Sequence, residues 1–198
     1  VECTIGKELG VSRTPVREAV RQLALEGLVQ VIPNKGAFVT GISVRDVMDM
    51  YQIRARLEGL CASMAAEHVT KEQLEGMEEA IVLSDYHAGK GNYDQVCQQD
   101  SRFHKLLYEA SGSRILVHTL GDFHQYLQRV RMASVQYRMR VRPSNSEHRK
   151  ILEAIRQGDC QGAEKAAYGH IANTIENPVS YTHLRAHETI AQIVCLIL

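Results

Sequence analysis

Apolar positions recur every three to four residues along most of this chain, the spacing of helices that bury one face. In TIGKELG, residues 4 to 10, Ile5 and Leu9 stand four apart and Gly10 supplies a helix stop. Ser12 is a good N-cap for the next helix, and Pro15 is tolerated in its first turn. That helix carries Val16, Val20, Leu23 and Ala24 on one face and ends at Gly27. The spacing then changes. LVQVIPNKGAFVT, residues 28 to 40, holds two short β-rich runs around Asn34 to Gly36, which predicts a hairpin.

From Ser43 the helical period returns and stays. Ser43 and Asp46 form an N-terminal capping pattern ahead of a long helix over VMDMYQIRARLEGLCASMAAEHV. KEQLEGMEEAIVLSDYHA, YDQVCQQDSRFHKLLYEASG, SRILVHTLGDFHQYLQRVRMASVQY, SNSEHRKILEAIRQGD and CQGAEKAAYGHIANTIE follow, separated by short polar, Gly or Pro breaks. Residues 43 to 177 therefore predict an antiparallel bundle of about six helices, without an internal repeat. The chain is expected to be mainly α, with residues 1–41 and 42–177 as its two domains. Pro178 stops the last helix, and the tail ends in nine residues of which eight are apolar, too few to span a bilayer. Its SYTHLRAHET stretch resembles translated sequencing-adaptor DNA, so residues 179 to 198 are expected to be foreign to the fold.

Composition changes the picture little. Lys plus Arg equals Asp plus Glu at 23 each, so any basic function must come from local clustering. Five scattered cysteines without a CxxC pair suit a reducing compartment. With no signal peptide and no spanning segment, a cytoplasmic protein without a membrane partner is expected.

Clustering does occur in VSRTPVREAV. Arg13, Arg17 and Arg21 lie at i, i+4, i+8, opposite the Val16, Val20, Leu23 stripe. A helix-turn-helix reader places such a helix start in the major groove, where Arg forks onto guanine. Ser12, Thr14 and the free amides of the first turn suit phosphate oxygens. The hairpin offers Lys35 and Gly36 at its tip. A solvated amphipathic helix would show the same periodicity; the combination of short helix, Gly turn, capped basic helix and hairpin favours DNA.

LGVSRTPVREAVRQLALEGLV followed by PNKGAFV resembles the winged helix-turn-helix of the GntR family of bacterial transcription regulators. By that resemblance Ser12, Arg13, Thr14, Arg17, Lys35 and Gly36 fall on DNA-contacting positions. The family has a complete second helix before this point, so the chain is expected to be truncated at its N-terminus. The resemblance also implies a homodimer on a pseudo-palindromic operator in double-stranded DNA.

The nine histidines raise a second question. Asp100 and His104 share one helix side at i, i+4; His148 opens one helix and His170 sits in another. One carboxylate and three imidazoles suit a borderline divalent ion, zinc first, with nickel or manganese as alternatives. Any one of these histidines alone reads as a surface or capped core residue, and His124 is the reserve candidate. YQIRARLEGLCASMAAEH, DSRFHKLLYEASGS, EHRKILEAIRQGD and AEKAAYGHI resemble the helical FCD domain of the FadR subfamily. The resemblance implies metal ligation by Asp100, His104, His148 and His170, and a small carboxylate effector that completes the coordination. It places Arg54 where it can face the pocket and pair with that carboxylate. A metal with open positions could instead activate water, with Glu147 as base. An attached DNA reader favours a sensor over an enzyme, and a purely structural metal is the remaining alternative. The run from Arg129 to Arg142, five arginines and no acid, reads as an exposed helix end and loop or a phosphate-touching face.

Overall fold

The computed structural model describes residues 2–25, 29–33, 35–39, 44–132 and 137–175. Gly27, Asn34, Ser43 and the tail from residue 176, about which the sequence makes claims, lie outside the described residues. The chain divides into two compact units between Val44 and Arg45.

The first unit holds α1 (Glu2–Leu9), α2 (Arg13–Leu25), β1 (Val29–Ile32) and β2 (Gly36–Val39). Gly10 leaves α1 with φ +66°, a conformation only glycine adopts without strain. α2 starts directly after Ser12, as the capping residue predicts. Its apolar stripe is less covered than its spacing suggests. Val16 is buried, whereas Leu23 is 37% exposed. Among the described residues α2 packs on α1 and β1, and that contact reaches only part of the stripe. The strands pair antiparallel in the register Val29↔Val39 to Ile32↔Gly36, and Gly36 takes φ +107° at the tip.

The second unit is built from α3 (Val44–His68), α4 (Lys71–Gly89), α5 (Tyr93–Ala110), α6 (Arg114–Met132), α7 (Tyr137–Arg156) and α8 (Cys160–Ile175). Local signals explain the ends. Thr70 and Gln73 close a capping box on α4, satisfying two backbone N–H groups that the helix itself cannot. Asp159 accepts from Gly162 N at 2.9 Å at the start of α8. Helix α4 packs on α5 and α7, α5 on α6, and α7 on α8. The core between them includes Met77, Phe103, Leu107, Leu120, Ile151 and Ile155. α3 meets α8 at Gly59, where an added Cβ would lie 3.1 Å from the Glu164 carbonyl oxygen.

One boundary differs from the expectation. α7 starts at Tyr137 rather than Ser144 and carries Pro143 inside it. Proline lacks the N–H that would bond to the carbonyl of Met139, but Met139, Arg142 and Pro143 are exposed, so water can take that carbonyl. Among the described residues no helix is long and apolar enough to cross a membrane.

Candidate metal centre

Helical spacing delivers the first two candidates together. Asp100 and His104 project from the same side of α5, and both are buried. α7 contributes His148 and α8 contributes His170, also buried. His148 Nε2 and His170 Nε2 lie 3.2 Å apart. Asp100 Oδ1 lies 3.9 Å from His104 Nε2 and 3.9 Å from His148 Nε2. The structure thus brings all four sequence candidates into one cluster. His104, His148 and His170 form one potential metal triad; Asp100, His104 and His124 form another that shares His104.

His124, on α6, is 3.8 Å from Asp100 Oδ2. Its Nδ1 faces Arg54 Nη2 at 3.1 Å and its Nε2 faces Ser101 Oγ at 3.2 Å. Since a guanidinium only donates, Nδ1 is the acceptor and the ring proton sits on Nε2. Arg54 is buried rather than solvent-facing. Its Nε donates to Glu58 Oε2 at 2.8 Å and its Nη2 to Tyr108 Oη at 3.3 Å. The other Glu58 oxygen lies against His104 Nδ1.

Burial sets the protonation states. It pushes the His148 imidazolium well below the usual histidine range, and the neighbouring His170 and His104 add to this. Burial lowers His170 as well, against the opposing hydrogen bond that His170 donates to Glu147. Burial pushes the Glu58 carboxyl up, but Arg54 and His104 outweigh it and hold the group well below the usual carboxylate range. Glu147 is held at about 2, because hydrogen bonds from His170, Arg140 and Asn173 outweigh its burial. His148 and His170 are therefore neutral near pH 7, with lone pairs to offer.

The donor set fits a divalent cation. His104 Nε2 is buried with no hydrogen-bond partner among the described residues, which is costly for a polar atom unless a ligand meets it. Two nitrogens bound at about 2.0–2.1 Å to one tetrahedral ion stand about 3.3 Å apart, close to the His148–His170 separation.

Residues 1–39 match the bacterial regulatory proteins of the gntR family, and residues 49–173 match the FCD domain. The chain belongs to the GntR family and carries an FCD domain. It is 27% identical to the HTH-type transcriptional regulator YdhC of Bacillus subtilis (strain 168) over 177 residues, 89% of this chain and 79% of the relative. It is likewise 27% identical to the HTH-type transcriptional repressor RspR of Escherichia coli (strain K12) over 176 residues, 89% of this chain and 77% of that one. The E. coli McbR/YncC structure shares the fold, with a TM-score of 0.66 at 20% identity, covering 93% of this chain and 87% of that one. The protein is a transcription regulator of the GntR/FCD type.

In the GntR part, Arg13 opens α2 and Arg17 follows one turn later. Ser12, Arg13, Thr14, Arg17 and Lys35 are exposed, and Gly36 is half-buried. In the FCD domain, sequence reasoning missed Glu58 and Tyr108, and gave Glu147 no part in holding a histidine. Glu58 had one available signal, its place four residues after Arg54, but that spacing is usual for a surface ion pair.

Proposed function

We propose that this regulator reads operator DNA through α2 and the hairpin, and senses a small carboxylate through a divalent metal in its FCD domain. Asp100, His104, His148 and His170 would hold the ion. The observation that carries this reading is the convergence of three buried imidazoles from three helices, within 4.8 Å of one another. A core that gathers polar rings without need for them would sacrifice stability. The metal would act as a Lewis acid for an acid ligand. We assign His124 to orientation rather than coordination, since its Nδ1 meets Arg54 and its Nε2 meets Ser101.

Arg54 is the cation of this pocket. Glu58 fixes its Nε, so the effector would replace His124 or Tyr108 as a partner of Nη2. On DNA, Arg13 and Arg17 would reach base edges, while Ser12, Thr14, Lys35 and Gly36 would meet the backbone. A homodimer on a pseudo-palindromic operator matches two readers to two half-sites. The test is a thermal-shift screen of small mono-, di- and hydroxycarboxylic acids on zinc-loaded and metal-free protein. At least one acid should raise the melting temperature of the loaded form and leave the metal-free form unchanged. If no acid distinguishes the two forms, the sensor reading fails and a structural metal takes its place.

A further inference from the structure

Two of the clustered histidines are held from behind in the same way. On one side, Arg54 and Glu58 of α3 form an ion pair at 2.8 Å, and Glu58 Oε1 lies against Nδ1 of His104 on α5. On the other, Arg140 and Glu147 of α7 pair at 2.5 Å, and Glu147 Oε2 lies 2.8 Å from Nδ1 of His170 on α8. Asn173 completes the second arrangement by donating to Glu147 Oε1 at 2.8 Å. Each is an arginine–glutamate–histidine relay, and the two share no residue. In both, the carboxylate occupies Nδ1, and Nε2 faces the other rings. Among the described residues His104 Nε2 has no hydrogen-bond partner, and His170 Nε2 stands 3.2 Å from His148 Nε2.

We infer that Glu58 and Glu147 are positioning residues that keep the proton of His104 and of His170 on Nδ1, so that both rings present an unprotonated Nε2 to one ion. The inference rests on the metal reading above. The chemistry is simple. An ionised carboxylate only accepts, so the single N–H of a neutral imidazole must point at it, and the lone pair is left at the far nitrogen. An unconstrained histidine favours the opposite form, with the proton on Nε2, the atom a metal would need. The arginines keep each glutamate aimed by holding its other lone pairs, and the negative charge behind the ring strengthens the imidazole as a ligand. Arg140 thereby gains a specific task among the five arginines between Arg129 and Arg142.

The relays differ in depth. Arg54 and Glu58 are 1% and 0% exposed, whereas Arg140 and Glu147 are 16% and 17% exposed. Removing Glu58 would strand a buried cation, so the outer relay is the one to test. The experiment compares the full chain with Glu147→Ala, Glu147→Gln and Arg140→Ala. Histidine tautomers are read by 15N NMR of the metal-free proteins, and zinc affinity by competition with a chromophoric chelator. In the wild type, His104 and His170 should both carry the proton on Nδ1. Glu147→Ala should move the His170 proton to Nε2 and weaken zinc binding about 10–100-fold, while the metal-free melting temperature changes little. Glu147→Gln keeps an acceptor oxygen and should restore most of the affinity. Arg140→Ala, which leaves the glutamate in place, should weaken zinc less than Glu147→Ala and leave the tautomer unchanged. Unaltered zinc affinity in Glu147→Ala, or a His170 proton that stays on Nδ1 there, overturns the positioning role alone. A wild-type chain that takes up no zinc overturns the metal reading and this inference with it.

Discussion

Arg54 and Glu58 are an ion pair almost without access to water, at 1% and 0% exposure. Such a pair contributes little net stability, but breaking it leaves a buried charge uncompensated. Glu58→Ala should therefore destabilise the metal-free FCD domain by about 3–5 kcal/mol in urea denaturation. Arg54→Met combined with Glu58→Leu, which removes both charges and keeps the volume, should recover most of that loss. A cost below about 1 kcal/mol for Glu58→Ala would mean that water reaches the pair. At this scale the sequence was partly legible. Asp100 and His104 could be placed on one helix side from their spacing alone, while His148 and His170 were candidates by residue type that the family resemblance selected. Glu58 could not be found, because its partners come from a helix distant in sequence: Tyr108 and His104 on α5.

Glycines inside helices make a comparison between elements. Replacing glycine by alanine within a helix normally stabilises by about 1 kcal/mol, since alanine has less backbone freedom to lose. Among the described residues beyond its own stretch of α6, Gly121 has no atom within 4 Å of where its Cβ would stand, so Gly121→Ala should gain about 0.5–1 kcal/mol. At Gly59 the Cβ would meet the Glu164 carbonyl oxygen at 3.1 Å and its Cγ at 3.3 Å. Gly59→Ala should therefore yield no gain, and Gly59→Leu should lose roughly 1–3 kcal/mol by wedging α3 from α8. Parallel urea denaturation of the three variants checks this, and a stabilised Gly59→Leu would show that the two helices are not in contact there. Helix number and most boundaries were readable because caps and apolar period agree, as at Ser12 ahead of α2. The start of α7 was not. Pro143 is a strong break signal, and nothing local announces that exposure on its own helix face lets the helix run through it. The stripe on α2 misled in the opposite sense, since spacing shows which residues share a face but not how far a neighbour covers it.

At the scale of the whole molecule, the account joins a DNA reader to a metal-centred sensor. In operator binding, Arg13→Ala or Arg17→Ala should lose roughly 1–3 kcal/mol per half-site and relax base preference there. Lys35→Ala should weaken binding to every sequence and lower the salt dependence, the behaviour of a phosphate contact. Titrations at several salt concentrations separate the two patterns, and a Lys35→Ala variant that changes base preference would move that residue from backbone to base contact. The GntR and FCD assignments were legible throughout, because the motifs lie in continuous stretches. The joint use of four residues from three helices is a property of the folded bundle. The most direct test of the central claim is the metal content of the purified chain, measured by elemental analysis beside a variant carrying both His104→Ala and His148→Ala. The account predicts about one divalent ion per wild-type chain and a near-complete loss in the variant, which should still fold. Full occupancy in the double variant would contradict it.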